Sequence, residues 1–113
     1  MKAVIRPRAR DDITRQFRWY LVDQNVLDAA FRFLEAVETT IGRIAEMSSM
    51  GTPNVLKNPL LAGLRSFPVD GFEAIRIYYL ADGKGLRVVR ILHGAREIGS
   101  ILANETDDND LGK

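Results

Sequence analysis

The sequence predicts an α+β fold, a helical hairpin packed on a mainly antiparallel β-sheet. In the first half, apolar residues recur three and four apart in two neighbouring segments, as on the buried face of a helix. In the second half the pattern changes to alternation, interrupted by Asp70-Gly71 and by Asp82-Gly83-Lys84-Gly85. A chain of 113 residues has room for one modest core and not for two.

Residues 2–6 read as a short N-terminal strand, stopped by Pro7. A helix is expected from about Arg8, with Ala9, Ile13, Phe17, Tyr20 and Leu21 on its inner face and Trp19 off that stripe. Asp23-Gln24-Asn25 breaks it, and Asn25 is placed to cap the next helix, because its side-chain oxygen can accept a free first-turn N–H. That second helix runs from about Val26 to Met47, with Ala30, Phe33, Leu34, Val37, Ile41 and Ile44 facing inward. So short a break between helices implies an antiparallel pair. Residues 48–63 read as loop.

Three strands are expected next. Gly63 to Val69 is the first, with Pro68 pointing to an edge or a strand end. Glu73 to Ala81 is the second, with Ile75, Ile77 and Tyr79 on one face and Arg76, Tyr78 and Leu80 on the other. Leu86 to Leu92 completes the meander. A short helix from Arg96 carries Ile98, Ile101 and Leu102. One domain therefore spans residues 1–103. Residues 104–113, with Glu105, Asp107, Asp108 and Asp110, are expected to form a disordered acidic tail.

Composition narrows the function. The apolar fraction of 46% and charged fraction of 27% are those of a soluble globular domain. No cysteine is present, which excludes disulfides and thiolate metal sites and fits a cytoplasmic setting. A single histidine excludes a multi-histidine metal centre, and no metal or cofactor is expected. No apolar run reaches the roughly 18 residues of a membrane span, and the basic start lacks the apolar segment of a signal peptide. Net charge is only +1, but Lys2, Arg6, Arg8, Arg10, Arg15 and Arg18 crowd the N-terminal part against Asp11 and Asp12. Such a face suits nucleic acid or an acidic partner, or is simply solvated with local pairing. Gly83-x-Gly85 lies in a hairpin turn with no helix after it, so it is not a nucleotide loop.

The residues that can carry chemistry are few. Histidine is the residue type suited to general acid–base work at neutral pH, but no acidic partner of His93 is evident, so a structural hydrogen bond at the strand end is favoured over catalysis. Arg65, Arg76, Arg90 and Arg96 leave the sheet or its exit, and on an uncovered face some of them would grip phosphate or carboxylate in fork geometry. Pairing with Asp70, Glu73 or Glu97 is the plainer alternative. The register that decides which arginines share a face is not written in the sequence. Trp19 and Phe31 fall off the helical stripes and are interface candidates, whereas Phe33 belongs to the core. Ile98, Ile101 and Leu102 give the last helix one apolar side, which either covers the sheet or meets a partner.

Three segments, in order, resemble a known family: Gly63-Leu64-Arg65-Ser66-Phe67-Pro68-Val69, then Ile75-Arg76-Ile77-Tyr78-Tyr79, then Arg90-Ile91-Leu92-His93-Gly94-Ala95-Arg96-Glu97-Ile98. With the element order, they resemble the ParE/RelE toxins of bacterial toxin–antitoxin pairs over nearly the whole chain. RelE-like members cut mRNA on the ribosome with clustered lysines and arginines, and several carry a tyrosine about six residues after the turn arginine. Here that position is Leu102, which cannot transfer a proton, and the loop and first strand of the meander offer only Lys57 and Arg65. His93-Gly94-Ala95-Arg96 is similar to the ParE form. That branch implies a non-catalytic poison of DNA gyrase, neutralised by a ParD-like antitoxin in a heterotetramer or larger complex, with no DNA binding by the toxin itself. Antitoxin or target contacts would then fall to Trp19, Phe31, Arg76, Arg90, Arg96, Ile98, Ile101 and Leu102. The alternative is a ribosome-dependent mRNA endonuclease using Arg65, Arg76, His93 and Arg96. A third reading is a toxin fold that now only binds its antitoxin.

Overall fold

The computed structural model describes residues 2–83, 85–94 and 98–103. Their order is β1 (Ala3–Ile5), α1 (Pro7–Arg18), α2 (Leu27–Glu46), β2 (Thr52–Pro53), β3 (Arg65–Val69), β4 (Phe72–Asp82), β5 (Gly85–His93) and α3 (Ile98–Ala103). The α+β architecture is the expected one. Both helices of the hairpin lie on one face of a five-stranded sheet ordered β1-β5-β4-β3-β2. Every pairing is antiparallel except that of β1 with β5, which is parallel. No helix among the described residues is long and apolar enough to cross a membrane.

The alternation in β4 assigns its two faces as the sequence implied. Ile75, Ile77 and Tyr79 join Phe33, Val37, Ile41 and Ile44 in the main core, beneath the hairpin. Tyr78 and Leu80 point the other way, into a second cluster with Leu61, Leu64, Val89, Leu92 and Leu102. The sheet is therefore covered on both sides. A β-bulge between Tyr78 and Tyr79 sets Tyr78 opposite Arg90 but Tyr79 opposite Val88, leaving Val89 as the extra residue.

Local chemistry departs from expectation at the hairpin connection. Pro7 sits in the first turn of α1, where its missing N–H costs nothing. Beyond Arg18 the helix widens into a π-turn at Trp19–Asp23, closed by Gln24 N–H donating to Trp19 C=O at 3.0 Å. The wider turn brings Tyr20 inward, where its ring packs on Phe33 and Phe72. Asn25 does not cap α2. It adopts a left-handed φ of 53° to reverse the chain, and Val26 precedes the helix without a side-chain cap. Asparagine tolerates that conformation better than most residues, so the turn claims it before the helix can.

The expected loop 48–63 is more ordered than its composition suggests. It contains the two-residue strand β2 and tight turns at Ser48–Met50 and Pro59–Leu61. Asn58 holds the second turn by accepting from Leu60 N–H at 3.0 Å, while its amide donates to Leu102 C=O at 3.1 Å. Pro68 lies in β3 beyond the two residues that β2 covers, so its missing N–H removes no ladder bond there. The acidic tail, residues 104–113, falls outside the described residues.

Candidate functional site

The three described arginines of the expected set, Arg65, Arg76 and Arg90, do not gather into one cluster. Register places Arg65 opposite Tyr79 and therefore on the hairpin face, whereas Arg76 stands on the other face with Tyr78. Arg65 donates to the carbonyls of Gly51 at 2.7 Å and Ser49 at 3.3 Å, which ties the loop after α2 to the sheet. Arg76 leans along β3, donating to the Ser66 hydroxyl at 3.1 Å and the Ser66 carbonyl at 3.3 Å. Its aliphatic stem packs on Gly94.

Arg90 turns in a third direction, toward α1. Its guanidinium meets the Asp12 carboxylate at 2.8 and 3.0 Å. Asp12 has no exposed side-chain surface, and only 12% of the Arg90 side chain is exposed. Asp12 also accepts from Arg15, and from the Ile91 backbone N–H at 2.9 Å. The physical reason lies in the sheet edge. The β1–β5 ladder ends at Val88, whose carbonyl accepts from Arg6 N–H. Beyond it the β5 edge needs another acceptor for Ile91 N–H, and a carboxylate from the next helix supplies it. Among the described residues Arg90 thus pairs with Asp12, which was not one of the acids anticipated for it. The sequence nevertheless carried a signal: Asp12 lies three residues after Ala9, on the stripe that faces inward. A carboxylate there requires a buried partner.

His93 ends β5 opposite Ile75 and is exposed. Among the described residues its side chain makes no hydrogen bond, so the expected structural bond is not formed with them. Arg96 and Glu97 lie outside the described residues. The Tyr78 phenol is buried, which pushes its pKa above the ordinary 10.0, with Arg76 pulling weakly the other way. Tyr79 is raised by burial too, offset in part by the Gly51 N–H and by Arg65. Its hydroxyl accepts from Gly51 N–H at 3.0 Å and donates to Ser48 C=O at 2.7 Å. These bonds make Tyr79 a clasp for the loop after α2.

Leu102 is fully buried in the second core cluster, with Ile98 and Ile101 packed on its margin. In the described arrangement the apolar side of α3 covers its own sheet. Trp19 is 44% exposed and Phe31 55% exposed, and Phe31 makes an edge contact with Phe17 across the hairpin. Phe33 is core, as expected.

The fold, the order of its strands and the Arg90–Ile98 segment agree with one family. A model of the family described as ParE toxin of type II toxin-antitoxin system, parDE, matches residues 3–98. The chain belongs to the ParE toxin family. No curated protein matches it. As a ParE toxin it is the toxin component of a type II toxin–antitoxin system, and an antitoxin partner follows from that membership. The matched span includes Asp12, Arg65, Arg76, Arg90 and His93 and stops at the first residue of α3.

Proposed function

We propose that this ParE toxin inhibits DNA gyrase by direct binding and without catalysis, in the cytoplasm, and that a ParD-like antitoxin neutralises it. One observation supports the non-catalytic part: among the described residues the sheet arginines Arg65, Arg76 and Arg90 are directed to three different places. Cleavage at a ribose 2′-OH needs a base, a charge clamp on the phosphate and an acid for the leaving oxygen, all within reach of one another. Arg65 is spent on loop carbonyls of the hairpin face, Arg76 on Ser66, and Arg90 on a buried carboxylate. His93 has no described carboxylate to orient it, and Leu102 is core. The described residues form no convergent set, which favours action through contact, and His93-Gly94-Ala95-Arg96 resembles the form found in the gyrase-poisoning ParE branch.

The antitoxin part rests on the two surfaces the fold offers an extended or helical segment. One is the outer side of the hairpin, with exposed Trp19 and Phe31. The other is the region of α3, with Ile98 and Ile101 only partly covered. An antitoxin that dimerises would give a heterotetramer or larger assembly. Gyrase supercoiling and DNA-cleavage assays, run beside mRNA cleavage on translating ribosomes, test the reading. Gyrase-linked breaks with intact mRNA are expected. Codon-position cuts with gyrase unaffected contradict it and favour the endonuclease alternative.

A further inference from the structure

One strip of the sheet's second face is left open by the described residues. α3 and the turn around Leu61 close that face over β4 and β5, where Leu102 packs among Leu61, Leu64, Leu80 and Val89. No residue of β1 joins this cluster. Val4 pairs with Arg87, and Arg87 with Leu80, so Val4 points to the same face as Leu80. It is nevertheless 49% exposed. Lys2 continues the strip, its carbonyl accepting from Leu86 N–H at 2.8 Å. A groove of about 320 Å³ runs beside Lys2, Val4 and Arg87, with Asp82 at its margin.

The strip is cationic. Residues 2–10 carry Lys2, Arg6, Arg8 and Arg10 and no acid, and Arg87 adds to them. Asp11, next in the chain, and Asp82 offset this charge only in part. Asp82 lies 3.7 Å from Arg87 with both side chains exposed, which makes their pair a weak surface contact. The chain holds one segment of the opposite character. Residues 104–112 carry Glu105, Asp107, Asp108 and Asp110 and no cation, with Leu111 as their one large apolar side chain. Acids so closely spaced repel one another, and a cationic surface relieves that repulsion. The segment follows α3, which already lies on the second face, and Ala103 ends beside Asn58 and Lys57. From β4, beneath α3, to β1 is two strand spacings, about 10 Å. The seven residues after Ala103 extend to about 25 Å, enough to carry Asp110 over β1.

We infer that the acidic segment 104–113 docks on this strip of its own chain. Its carboxylates meet Lys2 and Arg87, and Leu111 rests against Val4. The second face, closed over β4 and β5 by α3, is then closed over β1 as well. The inference is independent of the gyrase reading, because it concerns the chain's own tail and no target.

Cross-linking of the purified full chain with a carbodiimide, which joins a carboxylate directly to an amine in contact, tests it by mass spectrometry. A mixture of isotope-labelled and unlabelled chain separates links within one copy from links between copies. The expected product joins Lys2 to a carboxylate of residues 105–110 within one copy, at several times the yield of links from the tail to Lys57. A tail that ignored the strip would favour Lys57, which lies beside the point where the tail leaves α3. Arg87→Gln should cut the Lys2 link several-fold and leave the Lys57 link unchanged. Salt at about 1 M, where the Debye length is about 3 Å, should also cut the Lys2 link. Neutralising the tail, in a Glu105→Gln/Asp107→Asn/Asp108→Asn/Asp110→Asn variant of the full chain, should shift the backbone amide resonances of Val4 and Arg87 and leave that of Phe33 in place. Tail links that favour Lys57 overturn the inference, as do Lys2 links found only between copies. So does a neutral tail that leaves Val4 and Arg87 at their wild-type resonances.

Discussion

At the scale of single residues, the most consequential side chain is Asp12, which carries no chemistry toward a substrate. It collects Arg15, Arg90 and the Ile91 N–H around one buried carboxylate. Removing one partner of a buried, hydrogen-bonded pair costs about 3–5 kcal/mol, because the remaining charge stays buried and alone. Asp12→Ala is therefore expected to lose about that much stability in urea unfolding. A double variant with Arg90→Ala should lose less than the sum of the two single changes, which a double-mutant cycle reads directly. Gly51 is the second such residue. A Cβ there would collide with the Tyr79 hydroxyl and its ring carbon, and also crowd the Ser66 carbonyl. Gly51→Ala should lower the unfolding midpoint by displacing the clasp. Tyr79→Phe should cost about 1–3 kcal/mol by leaving the Gly51 N–H and the Ser48 carbonyl without it.

At the scale of elements, α3 decides whether the second face of the sheet is closed. Leu102 is its buried anchor, and Asn58 fastens its end through the Leu102 and Ala103 carbonyls. Leu102→Ala should cost about 2–5 kcal/mol if the helix stays in place over the cavity it leaves. A smaller loss, with faster amide exchange confined to 98–103, would mean that the helix detaches instead. The elements were legible in the sequence wherever one periodicity ran long enough. α2 and β4 followed their apolar patterns to within a residue or two, because each buries one continuous face. Asn25 was misread because capping and chain reversal favour the same side chain, and only the π-turn before it decides which is used. β2 was invisible, since two residues show no period. Arg65 and Arg76 were read as possible neighbours, but register puts them on opposite faces. Asp12, which Arg90 meets, lies 78 residues away in sequence, a distance across which local patterns carry no information.

At the scale of the whole molecule, the sheet is packed on both sides, and its three tyrosines report on that packing. All three, Tyr20, Tyr78 and Tyr79, are held above the ordinary 10.0 by burial. A raised folded pKa means that the unfolded chain releases these protons first. The neutral phenols thus contribute their full stability below about pH 10, and the folded state loses it as pH climbs toward the raised values. Tyrosinate absorbance of the folded protein should lag behind that of the urea-unfolded chain, and the thermal midpoint should fall above pH 10. Titration at the ordinary value for all three would contradict a closed second face. The same packing bears on the proposed function: among the described residues Arg65, Arg76 and Arg90 are engaged in holding the fold, which is the ground for proposing action through surface contact. The direct test is the amount of gyrase covalently trapped on DNA in cells expressing the chain without its antitoxin. A rise in trapped complexes, unchanged in an Arg65→Ala variant that still folds, is the predicted result. Growth arrest with no trapped gyrase, and with mRNA cut inside codons, would contradict it.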